Sequence, residues 1–305
     1  MIEMKVSMEK SYKKNNNLVF VFLTGLIRIR GVVNWTAISF FGFILGISSL
    51  NIRSYLIPFF FFLVSTFFIL AFTFAINNYY DVDTDKENPR KAHLNAIASG
   101  AISKHTAMVL NIIFIIIPLG LSIFYTLGVF VFCFLFIFWM WAYSAPPFRL
   151  KGRPGLDILW HFTAFVALVL WGSYLAGSIT VLNVLVALSL GIFGCIAQVD
   201  NHISDYSYDK ASGSKTFAVW IGIDKAHTTL KIFIIIYIIV LLPLIVLYSF
   251  QSVYTILIIC GGIILGFFVV KIKRVSVSSS LYRFIIFFGG SVFLSCFIYH
   301  IHSLL

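Results

Sequence analysis

Charged residues are scarce in this sequence: Asp, Glu, Lys and Arg make up 11% of its 305 residues. A soluble domain uses about 25% charged residues to keep its surface hydrated. Hydrophobic residues make up 60% of the chain, and the mean hydropathy is +1.00. The shortage of charge therefore argues against an ordinary soluble domain and favours a protein that lies within a membrane.

Cysteine and the common cofactor motifs are also rare or missing. All four cysteines fall in apolar stretches, which favours buried small side chains over a disulfide or metal framework. The sequence contains no dinucleotide-binding fingerprint, P-loop, C-x-x-C pair or H-E-x-x-H, so we propose neither a redox cofactor nor zinc. The first 17 residues are polar and basic and lack an apolar core, so we expect a cytoplasmic tail rather than a cleavable signal peptide.

Long apolar runs are what the chain has in abundance. A membrane-spanning helix needs roughly 20 apolar residues, and a helix satisfies its own backbone hydrogen bonds in lipid. We predict an all-α integral membrane protein, with a single transmembrane domain over 18–305. Its nine predicted spans are 33–50, 56–77, 106–123, 125–143, 156–177, 181–199, 229–249, 252–271 and 284–302.

The net charge of +11 could suggest a nucleic-acid partner, but its distribution argues otherwise. With nine spans, 21 of the 22 lysines and arginines fall on the side of the N-terminus. Cytoplasmic loops carry an excess of these residues. The pattern predicts a cytoplasmic N-terminus and a C-terminus on the opposite side, with membrane lipid as the surroundings and no nucleic acid or obligate protein partner.

A repeated motif holds five of the eleven acidic residues, on that same side. The pattern N-x-x-x-D-x-x-x-D-K occurs after the second predicted span, at 77–86, and again 124 residues later after the sixth, at 201–210. Helical residues four apart share one face, so each triplet forms a stripe of roughly 12 Å. The triplets are Asn77, Asp81 and Asp85 in the first copy and Asn201, Asp205 and Asp209 in the second.

Oxygen ligands of this kind suit Mg²⁺, which is commonly shared with the phosphates of a substrate. Two facing acidic stripes would repel each other unless cations lay between them, and Mg²⁺ ions bridging a diphosphate would balance their charge. Basic residues beside the motifs could hold the remaining phosphate charge; they are Lys86, Arg90, Lys91, Lys210 and Lys215. Polar groups at helix ends next to a membrane fit an amphiphilic ligand with a charged head and an apolar tail.

In these residues the chain resembles the UbiA superfamily of intramembrane prenyltransferases. The resemblance includes the segments Ile97–Ser103, Tyr143–Lys151 and Asp209–Thr216 in the family's order. It implies nine helices in a ring around a central cavity that opens to lipid and is capped by cytoplasmic loops. It also implies a Mg²⁺-dependent reaction in which an allylic isoprenoid diphosphate ionises and a lipophilic acceptor captures the prenyl group.

The resemblance assigns roles residue by residue. Both triplets become metal ligands, and their four aspartates become catalytic. Tyr143, Ser144, Lys151 and Arg149 become contacts of the diphosphate. The chain departs from the family before Ser99-Gly100, where many members carry an Arg-Pro pair and this chain reads NPRKAHLNA, so Arg90 and Lys91 are substitutes by proximity.

Several questions stay open at this level. Arg28 and Arg30 precede the first span and suit either a phosphate or lipid headgroups. His161 and His202 suit either a base or a hydrogen-bonded interfacial histidine. The acceptor could be a quinone precursor, a carotenoid, a chlorophyllide or a similar lipid. Two other functions fit less well: a terpene cyclase with no second substrate, and a cation transporter, whose acids should lie near the bilayer midplane.

Overall fold

The computed structural model describes residues 18–87, 92–249, 253–272 and 277–305. No strand occurs in these ranges, so the prediction of an all-α protein is confirmed. The helices are α1 (Leu18–Val21, extended by a π-helical turn, Phe22–Leu26), α2 (Ile29–Leu45), α3 (Leu56–Tyr80), α4 (Val82–Glu87), α5 (Lys104–Ile123), α6 (Leu127–Ser144), α7 (Leu156–Ala176), α8 (Val181–Ala211), α9 (Phe217–Ile221), α10 (Ile223–Leu244, extended by a π-helical turn, Ile245–Ser249), α11 (Val253–Ile272) and α12 (Val277–Leu304).

Seven helices in the described ranges are long and apolar enough to cross a membrane. An eighth appears if α1 and α2, which are bent by 54° at their junction, form one broken span. In α11 the apolar helix Thr255–Gly266 is shorter than the others. The chain is thus a multi-pass integral membrane protein, and the count of nine spans stays a prediction. The predicted tail, 1–17, lies outside the described residues.

The first predicted span, 33–50, needs correction. The observed helix α2 runs from Ile29 to Leu45, and the short apolar helix α1 precedes it without having been predicted. Between them Arg28 adopts a φ of 50°, which is incompatible with a continuous right-handed helix. In contrast, the predicted break between the spans 106–123 and 125–143 is confirmed. Thr126 caps the start of α6 by accepting a hydrogen bond from the Val129 N–H at 3.1 Å.

The chain divides into two compact units. Unit one holds the residues up to Ile38 together with Leu56–Arg149, and unit two holds Ser39–Tyr55 with Leu150–Leu305. The first motif belongs to unit one and the second to unit two. In unit one, α3 packs against α5 and α6, which also pack against each other.

Unit two is built on the antiparallel pair α7 and α8, with α10 against α8 and α11 against α12. The C-terminal half of α2 approaches α7 so closely that a Cβ added at Gly172 would overlap the Ser39 carbonyl oxygen. The Ser39 hydroxyl donates to the Leu168 carbonyl at 2.7 Å, and the Ser173 hydroxyl donates to the Gly42 carbonyl at 2.9 Å. Small residues and interhelical hydrogen bonds hold helices together in lipid, where burial of apolar surface contributes little.

Candidate functional site

The second motif lies on one unbroken helix. Helix α8 continues through Ala211, so Asn201, Asp205 and Asp209 follow one another at single-turn intervals, as predicted. The first two are exposed, whereas Asp209 is only 8% exposed. Unit two therefore offers two accessible oxygen-bearing side chains and one buried carboxylate along a single face.

The first motif crosses a helix junction, because α3 ends at Tyr80 and α4 begins at Val82. The backbone bonds of helical type nevertheless continue, from the Asp81 N–H to the Asn77 carbonyl (3.0 Å) and from the Asp85 N–H to the Asp81 carbonyl (2.7 Å). The spacing of the triplet therefore survives the junction. Asn77 and Asp81 are half-buried, and Asp85 is 7% exposed.

Two residues for which the sequence predicts different roles meet directly in unit one. The Asn77 Nδ2 donates to the Ser144 hydroxyl at 3.1 Å, across 67 positions of sequence. Ser144 is fully buried at the end of α6, and Tyr143 beside it is half-buried. The hydrogen bond orients the Asn77 amide, whose oxygen is the atom that can bind a cation.

Asn78, the next residue, anchors the first motif and was not predicted. Its side chain is fully buried, and its Nδ2 donates to the carbonyls of Gly25 and Leu26, both at 2.8 Å. Arg28 donates to its Oδ1. The amide thus fixes the end of α3 to the junction between α1 and α2, and an unpaired buried amide there would cost about 1–3 kcal/mol.

Arg28 is turned toward the acidic stripe of its own unit. Its guanidinium interacts electrostatically with Asp85 and Asp81, while the side chain keeps an exposed surface. Its φ of 50° and the 40° of Arg149 are the two positive values among the non-glycine residues that the structure describes. Such backbone conformations persist where surrounding structure enforces them, often at binding sites.

A polar cluster lies beside the second motif, and its carboxylate was not predicted. Asp157, 1% exposed near the start of α7, accepts a hydrogen bond from the Gly155 N–H at 3.0 Å, and its Oδ2 lies 3.3 Å from the His202 Nε2. Gln198 lies 2.9 Å from the same imidazole nitrogen. The His161 Nδ1 lies 2.8 Å from the Asp157 carbonyl oxygen. Both histidines therefore have the hydrogen-bonded environment that the sequence left as one of two interpretations.

Asn78 and His202 occupy the same position of the repeat, directly after the asparagine of each motif. Each is buried, and each contacts another element of its own unit. The register could have revealed both, since a polar residue next to the motif asparagine falls on the inner face of the helix. No signal in the sequence singles out Asp157 as the partner of His202.

The predicted diphosphate-binding residues are spread over both units. In unit one, Lys86 and Arg149 are exposed. In unit two, Lys151 is half-buried in the short turn Leu150–Gly152, Lys215 is exposed, and the Lys210 Nζ lies 5.8 Å from the centre of the Tyr206 ring. The remaining two predicted contacts, Arg90 and Lys91, lie outside the described residues.

Unit one also contains an apolar cleft of about 260 Å³ between α3, α5 and α6. Its lining includes Phe72, Phe138 and Trp141, and no ionisable side chain. Such a lining can accommodate hydrocarbon but offers no partner to a diphosphate.

The donors present fit Mg²⁺. In the part of the chain that the structure describes, no three His, Cys, Asp or Glu side chains cluster as a complete metal site. Each motif instead offers two carboxylates and one carboxamide, all of which bind a cation through oxygen. Mg²⁺ is typically held by one or two carboxylates, with waters and substrate phosphates completing its octahedron, so an incomplete protein shell is what this ion requires.

Comparison with known proteins gives three consistent results. The model of the UbiA prenyltransferase family matches residues 18–297. A lycopene elongase/hydratase from Corynebacterium glutamicum is 28% identical over 192 residues, which is 58% of this chain and 62% of that protein. The match therefore spans about three fifths of the length of the curated relative.

Two solved structures share the fold. One is a UbiA homologue from Archaeoglobus fulgidus bound to GPP and Mg²⁺, with a TM-score of 0.68, 22% identity, and coverage of 93% of this chain and 99% of that one. The other is a UbiA homologue from the same organism bound to DMAPP and Mg²⁺, with a TM-score of 0.67, 21% identity, and coverage of 93% and 98%. At these identities the likeness establishes the fold.

Proposed function

The chain belongs to the UbiA prenyltransferase family, and we propose that it transfers a polyprenyl group from an isoprenoid diphosphate to a lipophilic acceptor within the membrane, with Mg²⁺ as cofactor. The observation that carries this proposal is the hydrogen bond between Asn77 and Ser144. It joins a residue expected to bind the metal to one expected to contact the diphosphate. The fold neighbours that hold GPP or DMAPP together with Mg²⁺ support the same pairing.

We assign the metal to Asn77, Asp81, Asp85, Asn201, Asp205 and Asp209, and the diphosphate to the predicted basic and hydroxyl residues together with Arg28. When bound, Mg²⁺ would neutralise diphosphate charge and make it a better leaving group. The position of Arg28 beside the acidic stripe favours the phosphate over lipid headgroups as its partner. Its backbone conformation is held in advance, so little reorganisation is needed when the substrate arrives.

The reaction breaks the allylic C–O bond, and the electron pair leaves with the diphosphate oxygen. A double bond of the acceptor then supplies the pair for the new C–C bond, and a neighbouring carbon of the product loses a proton. The chain's task is to hold the negative head between cations at one end of the helices while the hydrocarbon lies among apolar side chains. Cationic groups aimed at the leaving oxygen stabilise the charge that develops there.

For the acceptor we propose a carotenoid or a similarly long apolar terpenoid. The support is the curated relative, whose name is lycopene elongase/hydratase. The apolar helices of this chain suit such a molecule, because a long polyene brings no charge that would need burial. Quinone precursors and chlorophyllides carry polar rings and are the alternatives to compare.

We also propose the topology that the charge pattern predicts. Nine spans form one domain around a central cavity, with a cap of loops and the N-terminus on the cytoplasmic side. A reporter enzyme fused after Lys104 and after Arg53 should be active on opposite sides of the membrane. Activity of both fusions on one side would contradict this topology.

The full chain, purified in detergent and returned to lipid nanodiscs, tests the function. It should release diphosphate from GPP, DMAPP or geranylgeranyl diphosphate only with Mg²⁺, and mass spectrometry should find the prenyl group attached to lycopene when lycopene is supplied. A hydrocarbon or terpene alcohol formed without acceptor would favour the cyclase. If Asp81→Ala and Asp205→Ala spare diphosphate release and abolish ion flux, the chain is a transporter and the proposal is wrong.

A further inference from the structure

We propose that Asn95, which lies outside both motifs, is the positioning residue that orients the Asp85 carboxylate toward its metal. The Asn95 Nδ2 donates to the Asp85 Oδ2 at 2.9 Å. This inference rests on the proposed function, since it concerns a ligand of the proposed Mg²⁺ site. It adds a residue that neither motif contains.

The hydrogen bonds of Asn95 use its whole side chain. Its second amide hydrogen goes to the Asn78 carbonyl at 2.9 Å, and its Oδ1 accepts from the Ile97 and Ala98 N–H groups at 3.0 and 3.3 Å. A carboxamide has two donor hydrogens and an oxygen with two lone pairs, so all four positions are occupied. The side chain is 1% exposed, which leaves water little access to replace these bonds.

The same network fixes which way the amide points. Two backbone N–H groups face its oxygen, so the nitrogen must face Asp85. A flipped amide would set its oxygen against the carboxylate and its N–H groups against other N–H groups, which is unfavourable on both sides. The orientation of the amide is therefore determined by the backbone of the turn after Asn95.

The turn after Asn95 is also anchored to the rest of unit one. The Ala96 N–H donates to the Gly25 carbonyl at 3.0 Å, and the Ile102 N–H donates to the Ala96 carbonyl at 2.9 Å. Gly25 also accepts from Asn78. The donor that faces Asp85 therefore belongs to a loop tied to the same backbone as the motif helix, so the two cannot move independently.

An amide suits this task because it is neutral. It directs one lone pair of the Asp85 carboxylate without cancelling the negative charge that attracts a cation, whereas a lysine or arginine there would compete with the metal. Outer-shell hydrogen bonds to a ligating carboxylate commonly affect metal affinity by about 10–100-fold.

The test uses Asn95→Ser in the full chain. A serine hydroxyl can still accept from the backbone N–H groups of the turn, but it is too short to reach Asp85. Asn111→Ala is the matched control, because Asn111 is buried in the same unit and its amide donates only locally, to the Ala107 carbonyl at 2.9 Å. Asn95→Ala is the second variant, and Asp85→Asn reports on the metal site itself.

Mn²⁺ binding to the purified protein with inorganic diphosphate, followed by electron paramagnetic resonance, gives a readout independent of turnover. We expect about 10–100-fold weaker Mn²⁺ binding in Asn95→Ser and at least that in Asn95→Ala, with a parallel rise in the Mg²⁺ concentration that half-saturates diphosphate release. Asn111→Ala should bind as the wild type does.

The outcomes separate the two proposals. If Asp85→Asn weakens Mn²⁺ binding and both Asn95 variants bind normally, the role of Asn95 is refuted and the metal site stands. If Asp85→Asn itself binds Mn²⁺ as the wild type does, the proposed metal site is wrong and the role of Asn95 is wrong with it. If Asn95→Ser does not fold, wild-type affinity in folded Asn95→Ala would still refute the inference.

Discussion

Replacing Asp157 by alanine should destabilise unit two. The substitution removes the acceptor of the Gly155 N–H and the carboxylate beside His202, in a place that water hardly reaches. A buried donor left unpaired costs about 1–3 kcal/mol. His202 keeps its contact with Gln198, so the imidazole loses only one of its two polar neighbours. We therefore expect a total of about 2–4 kcal/mol, short of the 3–5 kcal/mol for breaking a fully charged buried pair.

Asp157→Asn separates the hydrogen bonds from the charge. An asparagine oxygen can still accept from the Gly155 N–H, and its neutral NH₂ takes the place of the charged oxygen beside His202. We expect less than half the destabilisation of Asp157→Ala. Asp83→Ala is the control, because Asp83 is exposed on α4 of unit one, and a substitution at an exposed position usually changes stability by no more than about 0.5 kcal/mol.

A thiol-reactive fluorescent dye can follow thermal unfolding, because it reacts with buried cysteines only when the protein unfolds. Cys260 is exposed and is replaced in a Cys260→Ser background. The three buried cysteines are Cys133, Cys195 and Cys296. At about 2–4 °C per kcal/mol, a loss of about 2–4 kcal/mol in Asp157→Ala should lower the apparent melting temperature by roughly 4–16 °C. The scan rate must be constant, because membrane proteins often unfold irreversibly. A melting temperature within about 1 °C of wild type, or an asparagine variant as unstable as the alanine one, would refute the reasoning.

Four further outcomes are expected. EDTA should abolish diphosphate release and Mg²⁺ should restore it; release that persists in EDTA would contradict the cofactor. Ser144→Ala should raise the KM for the diphosphate about 10-fold through loss of a substrate-side hydroxyl, and an unchanged KM would remove this residue from the site. Arg28→Gly should melt no lower than Arg28→Ala, because glycine adopts a φ of 50° at little cost, yet both should lose diphosphate release. Gly172→Leu should prevent a monodisperse preparation in gel filtration, whereas Gly120→Leu, with open space around its Cβ, should not.

The sequence was sufficient to locate the long helices and the two motifs. Apolar blocks report lipid exposure directly, so the second span was predicted to start at 56, where α3 begins. The i, i+4 spacing predicted the stripe on α8, because helical geometry alone fixes it. Helix α1 was not predicted, because its apolar run is short and two arginines follow it closely. This pattern resembles the polar segment that borders a membrane span.

The hydrogen bonds around the motifs could not be read from the sequence. Asn95 reaches Asp85 because the next residue, Ala96, is hydrogen-bonded to Gly25, which lies 71 positions before Ala96. No periodicity of the sequence encodes such a contact. The same holds for Asp157 and His202, which are far apart in sequence and meet through the packing of α7 on α8. The motif pattern predicts which groups bind, and tertiary packing decides how they are held.

The two anchors have a consequence for protein engineering. Beside the first motif, the Asn78 amide donates hydrogen bonds to the carbonyls of Gly25 and Leu26. Beside the second, the His202 imidazole faces the carboxylate of Asp157. The two motifs share one sequence pattern, but the residue after each motif asparagine makes contacts that are specific to its own unit. A symmetrised enzyme made by copying one motif into both positions would leave a misfitted side chain in the core. A motif could be transferred only together with the residues that its neighbouring side chain contacts.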